Sequence, residues 1–155
     1  MKYIIISDIH DPDKGINHNL EKIDFKSYDG VIICGDLTSD TVLFYIQNLN
    51  SNVHAVYGNM DEFYLRNKLP EMKTIEINKI KIGLLHGHQT GRAYTDRLIK
   101  RFNDKIDIMI YGHSHIQNRE NIDEIDIINP GAFCDGEYAI IKFNENSYEI
   151  DFCKI

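Results

Sequence analysis

Apolar residues come in short runs along this chain, and the runs change character part-way. Residues 2–6, 31–34 and 53–57 are nearly continuous and rich in β-branched side chains, as in central strands covered on both faces. Between them, residues 17–25 carry Leu20 and Ile23, and residues 41–49 carry Val42, Leu43, Tyr45, Ile46 and Leu49, at helical spacing. Thr38-Ser39-Asp40 offers N-cap chemistry for the second of these helices, and Asp11 to Gly15 reads as loop. A short helix is predicted over 62–67, before Pro70. From there the pattern becomes mostly β. Residues 73–77 and 79–85 form strands parted by Asn78, a tight hairpin. A helix over 94–102 turns Leu98, Ile99 and Phe102 inward, and a strand follows over 106–111. Strands over 116–120, 124–128, 136–143 and 147–153 complete the chain, with a turn at Asn129-Pro130-Gly131. Successive β-α-β units imply parallel strands with helical crossovers, and the later strands imply a second sheet or a mixed extension. No repeat or linker interrupts the series, so one α/β domain over 1–155 is expected.

The strand ends carry the chemistry. Asp8-Ile9-His10, Gly35-Asp36, Gly58-Asn59-Met60-Asp61, His86-Gly87-His88 and Gly112-His113-Ser114-His115 each follow an apolar run. In extended backbone, residues i and i+2 point the same way, so Asp8 with His10, and His113 with His115, are expected to face one point. Open α/β sheets bind ligands beyond the carboxyl ends of their strands. That rim would hold five of the seven histidines, namely His10, His86, His88, His113 and His115. Two carboxylates at one site repel each other unless cations lie between them. Imidazole, carboxylate and amide oxygen suit Mn²⁺, Fe, Zn²⁺, Co²⁺ or Ni²⁺ better than Ca²⁺. The candidates exceed the needs of one tetrahedral ion and suffice for two sharing a bridge. Such a pair lowers the pKa of a bridging water and clamps a phosphoryl group. The residues therefore point to a dinuclear metal hydrolase of phosphate esters.

Blander readings accompany several residues. Asp61 reads as an N-cap for the following helix, His18 and His54 as structural, and Cys34 as a small buried side chain. Arg92 reads as solvated surface, with contact to substrate phosphate as the alternative. Asp123, Glu124 and Asp126 read as a solvated face.

Composition narrows the function classes. At 155 residues and 43% hydrophobic, the chain can bury its own core. A net charge of -7 argues against non-specific nucleic-acid binding. No apolar run approaches the roughly 20 residues of a membrane span. The opening Met1 to Ile6 is too short for a secretory signal, and three dispersed cysteines suit reduced thiols, so a cytoplasmic protein is expected.

The five blocks, in this order, resemble the calcineurin-like metallophosphoesterases, over residues from about 4 to 131. The short length, His86-Gly87-His88 and Asn129-Pro130-Gly131 look most like the small archaeal and bacterial phosphodiesterase branch. The resemblance implies a four-layer α/β/β/α sandwich, with two mixed sheets flanked by helices. It implies that Asp8, His10, Asp36 and His115 hold one divalent ion and Asp36, Asn59, His86 and His113 the other, Asp36 bridging. A metal-bridging hydroxide would then attack phosphorus. Asp36 and Asn59 are expected to be catalytic as well as ligands, with His88 beside them behind the ligands or against the substrate. Mn²⁺ is the favoured ion, with Ni²⁺, Co²⁺, Fe or Zn²⁺ as alternatives. A small phosphate ester is the expected substrate, and relatives of this size often self-associate as homo-oligomers. Many superfamily members have His where Met60 stands, which favours diesters with activated leaving groups here. The competing classes are a non-catalytic metal-binding or protein-binding scaffold of the same fold, and a nuclease, for whose extra DNA domain this chain has no room.

Overall fold

The computed structural model describes residues 1–10 and 18–155. The loop expected over 11–15 and the first residue of the helix expected over 17–25 lie outside them. The first sheet contains β1 (Lys2–Ile6), β2 (Gly30–Cys34), β3 (Val53–Val56), β9 (Glu137–Phe143) and β10 (Tyr148–Lys154), in the order β10-β9-β1-β2-β3. The second contains β4 (Met72–Ile77), β5 (Ile80–Leu85), β6 (Ile108–Ile110), β7 (Asn118–Ile122) and β8 (Ile125–Asn129), in the order β4-β5-β6-β8-β7. Both are mixed. β1, β2 and β3 run parallel, as do β5, β6 and β8, and hairpin strands pair antiparallel at the margins. The helices are α1 (His18–Glu21), α2 (Asp40–Leu49), α3 (Phe63–Lys68) and α4 (Thr95–Leu98).

Side-chain alternation sorts the strands into layers. Ile5, Ile32, Cys34 and Val56 face Ile82, Leu84, Ile108, Ile110 and Ile128 across the space between the sheets. The opposite face of the first sheet, Ile4, Ile6, Val31 and Ile33, packs on Leu20, Val42, Leu43, Ile46 and Leu65 from α1, α2 and α3. The opposite face of the second, Leu85, Met109 and Ile127, packs on Leu98 and Ile99. This is the expected α/β/β/α sandwich. Central strands bury both faces, which is why their sequences show no polar alternation.

Several local expectations differ. The helix expected over 94–102 is only α4 plus a 3-10 turn over Ile99–Arg101. Leu98, Ile99 and Phe102 nevertheless all pack inward, because the chain tightens before entering β6. The hairpin turn has two residues, Asn78 and Lys79, at φ 53° and 67°, the left-handed pair that matches strand twist. Ser39 occupies the α2 cap position without a side-chain cap bond. Asp126 is buried rather than solvated, since Arg119 grips both its carboxylate oxygens and Tyr148 donates to one across the sheets.

Candidate metal centre

The parallel strands of both sheets end at one rim, and their loops are fastened to one another by main-chain bonds. Asp8 N–H donates to the Gly35 carbonyl, and the N–H groups of Ile9 and His10 both donate to the Asp36 carbonyl. Gly112 N–H donates to the His86 carbonyl at 2.8 Å. Two glycines permit the close approach. A Cβ on Gly58 would overlap the Asp36 carboxylate, and one on Gly112 would overlap Ser7 Oγ.

Asp61 ties two of these loops together. It caps no helix; Glu62 holds that position for α3. Instead the buried carboxylate accepts N–H bonds from Asp36 (3.0 Å), Thr38 (2.7 Å) and Gly58 (2.7 Å). Burial pushes its carboxyl pKa up, although the Gly58 and Thr38 bonds favour the charged form.

The candidate ligands form two donor sets. Asp8, His10 and His115 make one and Asp36, His86 and His113 the other, each with ligand atoms within 4.8 Å of one another. In the first, His115 Nε2 lies 3.2 Å from both Asp8 Oδ1 and His10 Nε2, and His10 Nε2 lies 3.5 Å from Asp8 Oδ1. In the second, His86 Nε2 lies 3.1 Å from Asp36 Oδ2. The same Asp36 oxygen lies 3.4 Å from His10 Nε2, so it faces both sets. The Asn59 side chain is exposed, and its neighbour Met60 donates N–H to Asp36 Oδ1 at 2.8 Å.

Outer bonds aim these atoms. His86 Nδ1 sits 2.6 Å from the Cys34 carbonyl, which leaves Nε2 facing the set. His113 Nε2 bonds the Gly91 carbonyl at 2.8 Å, which leaves Nδ1. Asp8 Oδ2 takes the His113 N–H at 2.9 Å and lies 2.8 Å from Ser7 Oγ, which leaves Oδ1. Asp8 Oδ1 and His86 Nε2 are buried, and apart from the facing candidate-ligand atoms neither has a hydrogen-bond partner among the described residues. Two donors held at about 2.1 Å by one ion stand roughly 3.0–3.4 Å apart. The separations of 3.1 and 3.2 Å have that spacing, and buried acceptors converging without a donor between them fit divalent cations.

Protons compete for the same positions. The bond to Asp8 raises the His10 pKa against the cost of burial. Burial opposes a charge on His86, but its bond to Asp36 and the Asp8 charge raise its pKa overall. Burial likewise opposes the Asp36 charge, yet His86 and the Met60 N–H hold its carboxyl below the usual range. His88 joins neither set. Its ring lies 5.6 Å from that of His86 and 6.2 Å from that of Tyr57, its Nδ1 is buried without a partner among the described residues, and burial together with His86 lowers its pKa.

A model of the calcineurin-like phosphoesterase superfamily domain matches residues 1–146. The chain belongs to this superfamily. A phosphodiesterase of Methanocaldococcus jannaschii is 32% identical to this chain over 145 residues, 86% of this chain and 85% of the relative. The solution structure of a Thermotoga maritima protein aligns with a TM-score of 0.81 at 27% identity over 99% of each chain. Vps29 of Chaetomium thermophilum shares the fold, with a TM-score of 0.80 at 17% identity over 100% of this chain and 97% of that one.

Three features of the site become visible only in the fold. Ser7, which precedes the first candidate ligand, is buried with its hydroxyl 2.8 Å from both Asp8 Oδ2 and the Cys34 carbonyl. Asn129 reads as part of a turn, with a role near the site as the alternative; its amide donates to the Gly112 carbonyl and to Ser114 Oγ, and its oxygen accepts from Gly131 N–H. Cys134 and Asp135 arrive beside His115 only because the chain leaving β8 folds back, where Cys134 N–H bonds the Asp8 carbonyl at 3.1 Å. No strand-end pattern marks that pair.

Proposed function

We propose that this chain is a divalent-metal-dependent phosphodiesterase working at a dinuclear centre. The observation that carries the reading is Asp36 Oδ2 between His10 Nε2 and His86 Nε2, at 3.4 and 3.1 Å, a carboxylate oxygen placed to serve both sets. Asp8, His10, Asp36 and His115 would hold one ion, and Asp36, Asn59, His86 and His113 the other, with Mn²⁺ favoured. Bound there, the ions supply an activated water and positive charge for the phosphoryl transition state. The protein's part is orientation. Main-chain bonds hold the carboxylates, and carbonyls fix the tautomers of His86 and His113. His88, with a lowered pKa, is neutral at working pH and contacts the substrate through a hydrogen bond rather than a charge. Met60 is exposed beside Asp36 and has no proton to give a leaving group. Diesters with activated leaving groups are therefore preferred over alkyl monoesters. The three free cysteines suit a cytoplasmic setting.

The test is hydrolysis of an aryl phosphodiester beside its monoester, by chelator-stripped protein with and without Mn²⁺. Metal-restored turnover, faster on the diester, is expected. Two bound ions with no turnover on either ester would overturn the enzyme reading in favour of a scaffold. Equal rates on aryl and alkyl esters would remove the Met60 argument alone.

A further inference from the structure

Cys134 and Asp135 are candidate metal ligands outside both donor sets, and they share a neighbour with the first. His115, Cys134 and Asp135 bring one nitrogen, one sulfur and one carboxylate oxygen within 4.8 Å of each other. The three stand at the open side of the centre, His115 and Asp135 exposed and Cys134 half-buried. The strand of chain around Cys134 is fixed rather than adventitious. Its N–H bonds the Asp8 carbonyl, and the Asn19 amide donates to the carbonyls of Phe133 and Cys134.

We propose that His115, Cys134 and Asp135 form a rim site for a thiophilic divalent cation of the Zn²⁺ or Cd²⁺ class, which competes with the Asp8–His10 set for His115. A neutral imidazole has one lone pair for a metal, its other nitrogen carrying a proton. His115 can therefore serve Asp8 and His10, or Cys134 and Asp135, but not both at once. The choice is set by the ion. Thiolate favours soft and borderline cations, whereas Mn²⁺ prefers oxygen and imidazole. One sulfur, one nitrogen and one oxygen leave a fourth position open to water on a tetrahedral ion. On binding, the Cys134 thiol loses its proton to solvent and its sulfur lone pair forms the metal bond, with no change of oxidation state. Loading the rim takes His115 from the first ion and leaves it Asp8, His10 and the bridging Asp36. The site thus acts as a sensor that silences the centre when thiophilic metal is in excess over Mn²⁺.

The experiment adds Cd²⁺ to the Mn²⁺-loaded full chain and reads ultraviolet thiolate-to-metal charge transfer, with bound Mn²⁺ counted in parallel. Expected is one thiolate-bound Cd²⁺ per chain, with release of Mn²⁺ from one set. The band should vanish in Cys134→Ser and persist in Cys153→Ser. Asp135→Ala, at an exposed position, keeps the thiol and should weaken Cd²⁺ binding by at least about tenfold. No band in the unsubstituted chain, or a band that survives in Cys134→Ser, would overturn the proposal. Neither reading uses turnover. A chain that shows the band but hydrolyses no ester keeps this site and loses the phosphodiesterase reading.

Discussion

The two donor sets use the same residue types in different surroundings. On one side, His86 and Asp36 are 0% and 2% exposed, and each is held by a main-chain partner, Cys34 carbonyl and Met60 N–H. On the other, His10 and His115 are 27% and 42% exposed, and their ring nitrogens face each other at 3.2 Å with no carbonyl behind them among the described residues. Asp8 anchors the open side from the core, fully buried. A site built into packing and main chain holds its shape without a ligand. A site built from half-solvated rings relies on the ion itself to draw the donors together. One half should therefore bind tightly and exchange slowly, and the other should exchange readily.

Breaking the bridge should abolish the distinction. Asp36→Asn removes the oxygen that faces both sets, so several kcal/mol of metal-derived stabilisation is lost, about a thousandfold in turnover. Metal counting on the same variant should show fewer than two ions, and two ions with normal turnover would refute the bridge. Single-side substitutions sharpen the contrast. His86→Ala should cost about 0.5–1.5 kcal/mol of stability, because the buried Cys34 carbonyl loses one of its two partners and keeps Ser7 Oγ. His115→Ala, at an exposed ring, should leave the melting temperature of the stripped protein unchanged. Chelator should remove two ions in two phases, and His115→Ala should hasten only the fast phase. A single phase would show that the two sides do not differ.

The pH dependence of the metal-free protein offers a smaller effect with a definite sign. His86 has its pKa raised on folding, so its contribution is fully present below the ordinary value of about 6.5 and is lost as pH rises through the raised value. Asp36 has its pKa lowered, so its contribution is present above about 3.8 and is lost as pH falls through the lowered value. Stripped protein should therefore be most stable between those two limits and soften on the alkaline side. Ions need the imidazoles neutral, so stabilisation by Mn²⁺ should grow from pH 5.5 to 8. Thermal melts at the two pH values, with and without Mn²⁺, would count against this if the Mn²⁺ shift were equal at both.

The layered fold was legible because buried strands leave a local signature. Ile4, Ile5 and Ile6 face two different cores, and no local polar alternation can survive that. The rim was legible as a set of residues, but not in its geometry. Extended backbone was expected to aim Asp8 with His10 and His113 with His115. In the structure all four, and Asp36, are left-handed, with φ between 43° and 70°. Asp8 and His10 still share a set, whereas His113 and His115 enter opposite sets. A non-glycine residue at positive φ costs roughly 1–2 kcal/mol, so five in one centre mark a place where position is held against local preference. Asp61 and Asp126 were misread for a related reason. Their partners lie on other strands and loops, and a carboxylate's neighbours across a fold leave no local pattern.

Arg66 supports the smallest of the expected effects and tests how the lip of the buried set is held. Its Nε donates to the Asp61 carbonyl at 3.0 Å, its Nη2 donates to the Asn59 carbonyl, and its guanidinium lies 5.8 Å over the Tyr57 ring. The contact is partly solvated, so Arg66→Ala should cost only about 0.5–1.5 kcal/mol, a fall in melting temperature of about 2–4 °C per kcal/mol for a chain of this size. The informative readout is the second ion. Loss of the fork frees the backbone beneath Asn59, so Mn²⁺ affinity of the slowly exchanging set should weaken while the fast phase is untouched. Arg66→Lys keeps the charge but cannot hold both carbonyls in one plane. If the fork matters, lysine should behave like alanine; if Arg66 only supplies positive charge, lysine should restore the slow phase, and Asn59 must then be held by the Asp61 turn alone.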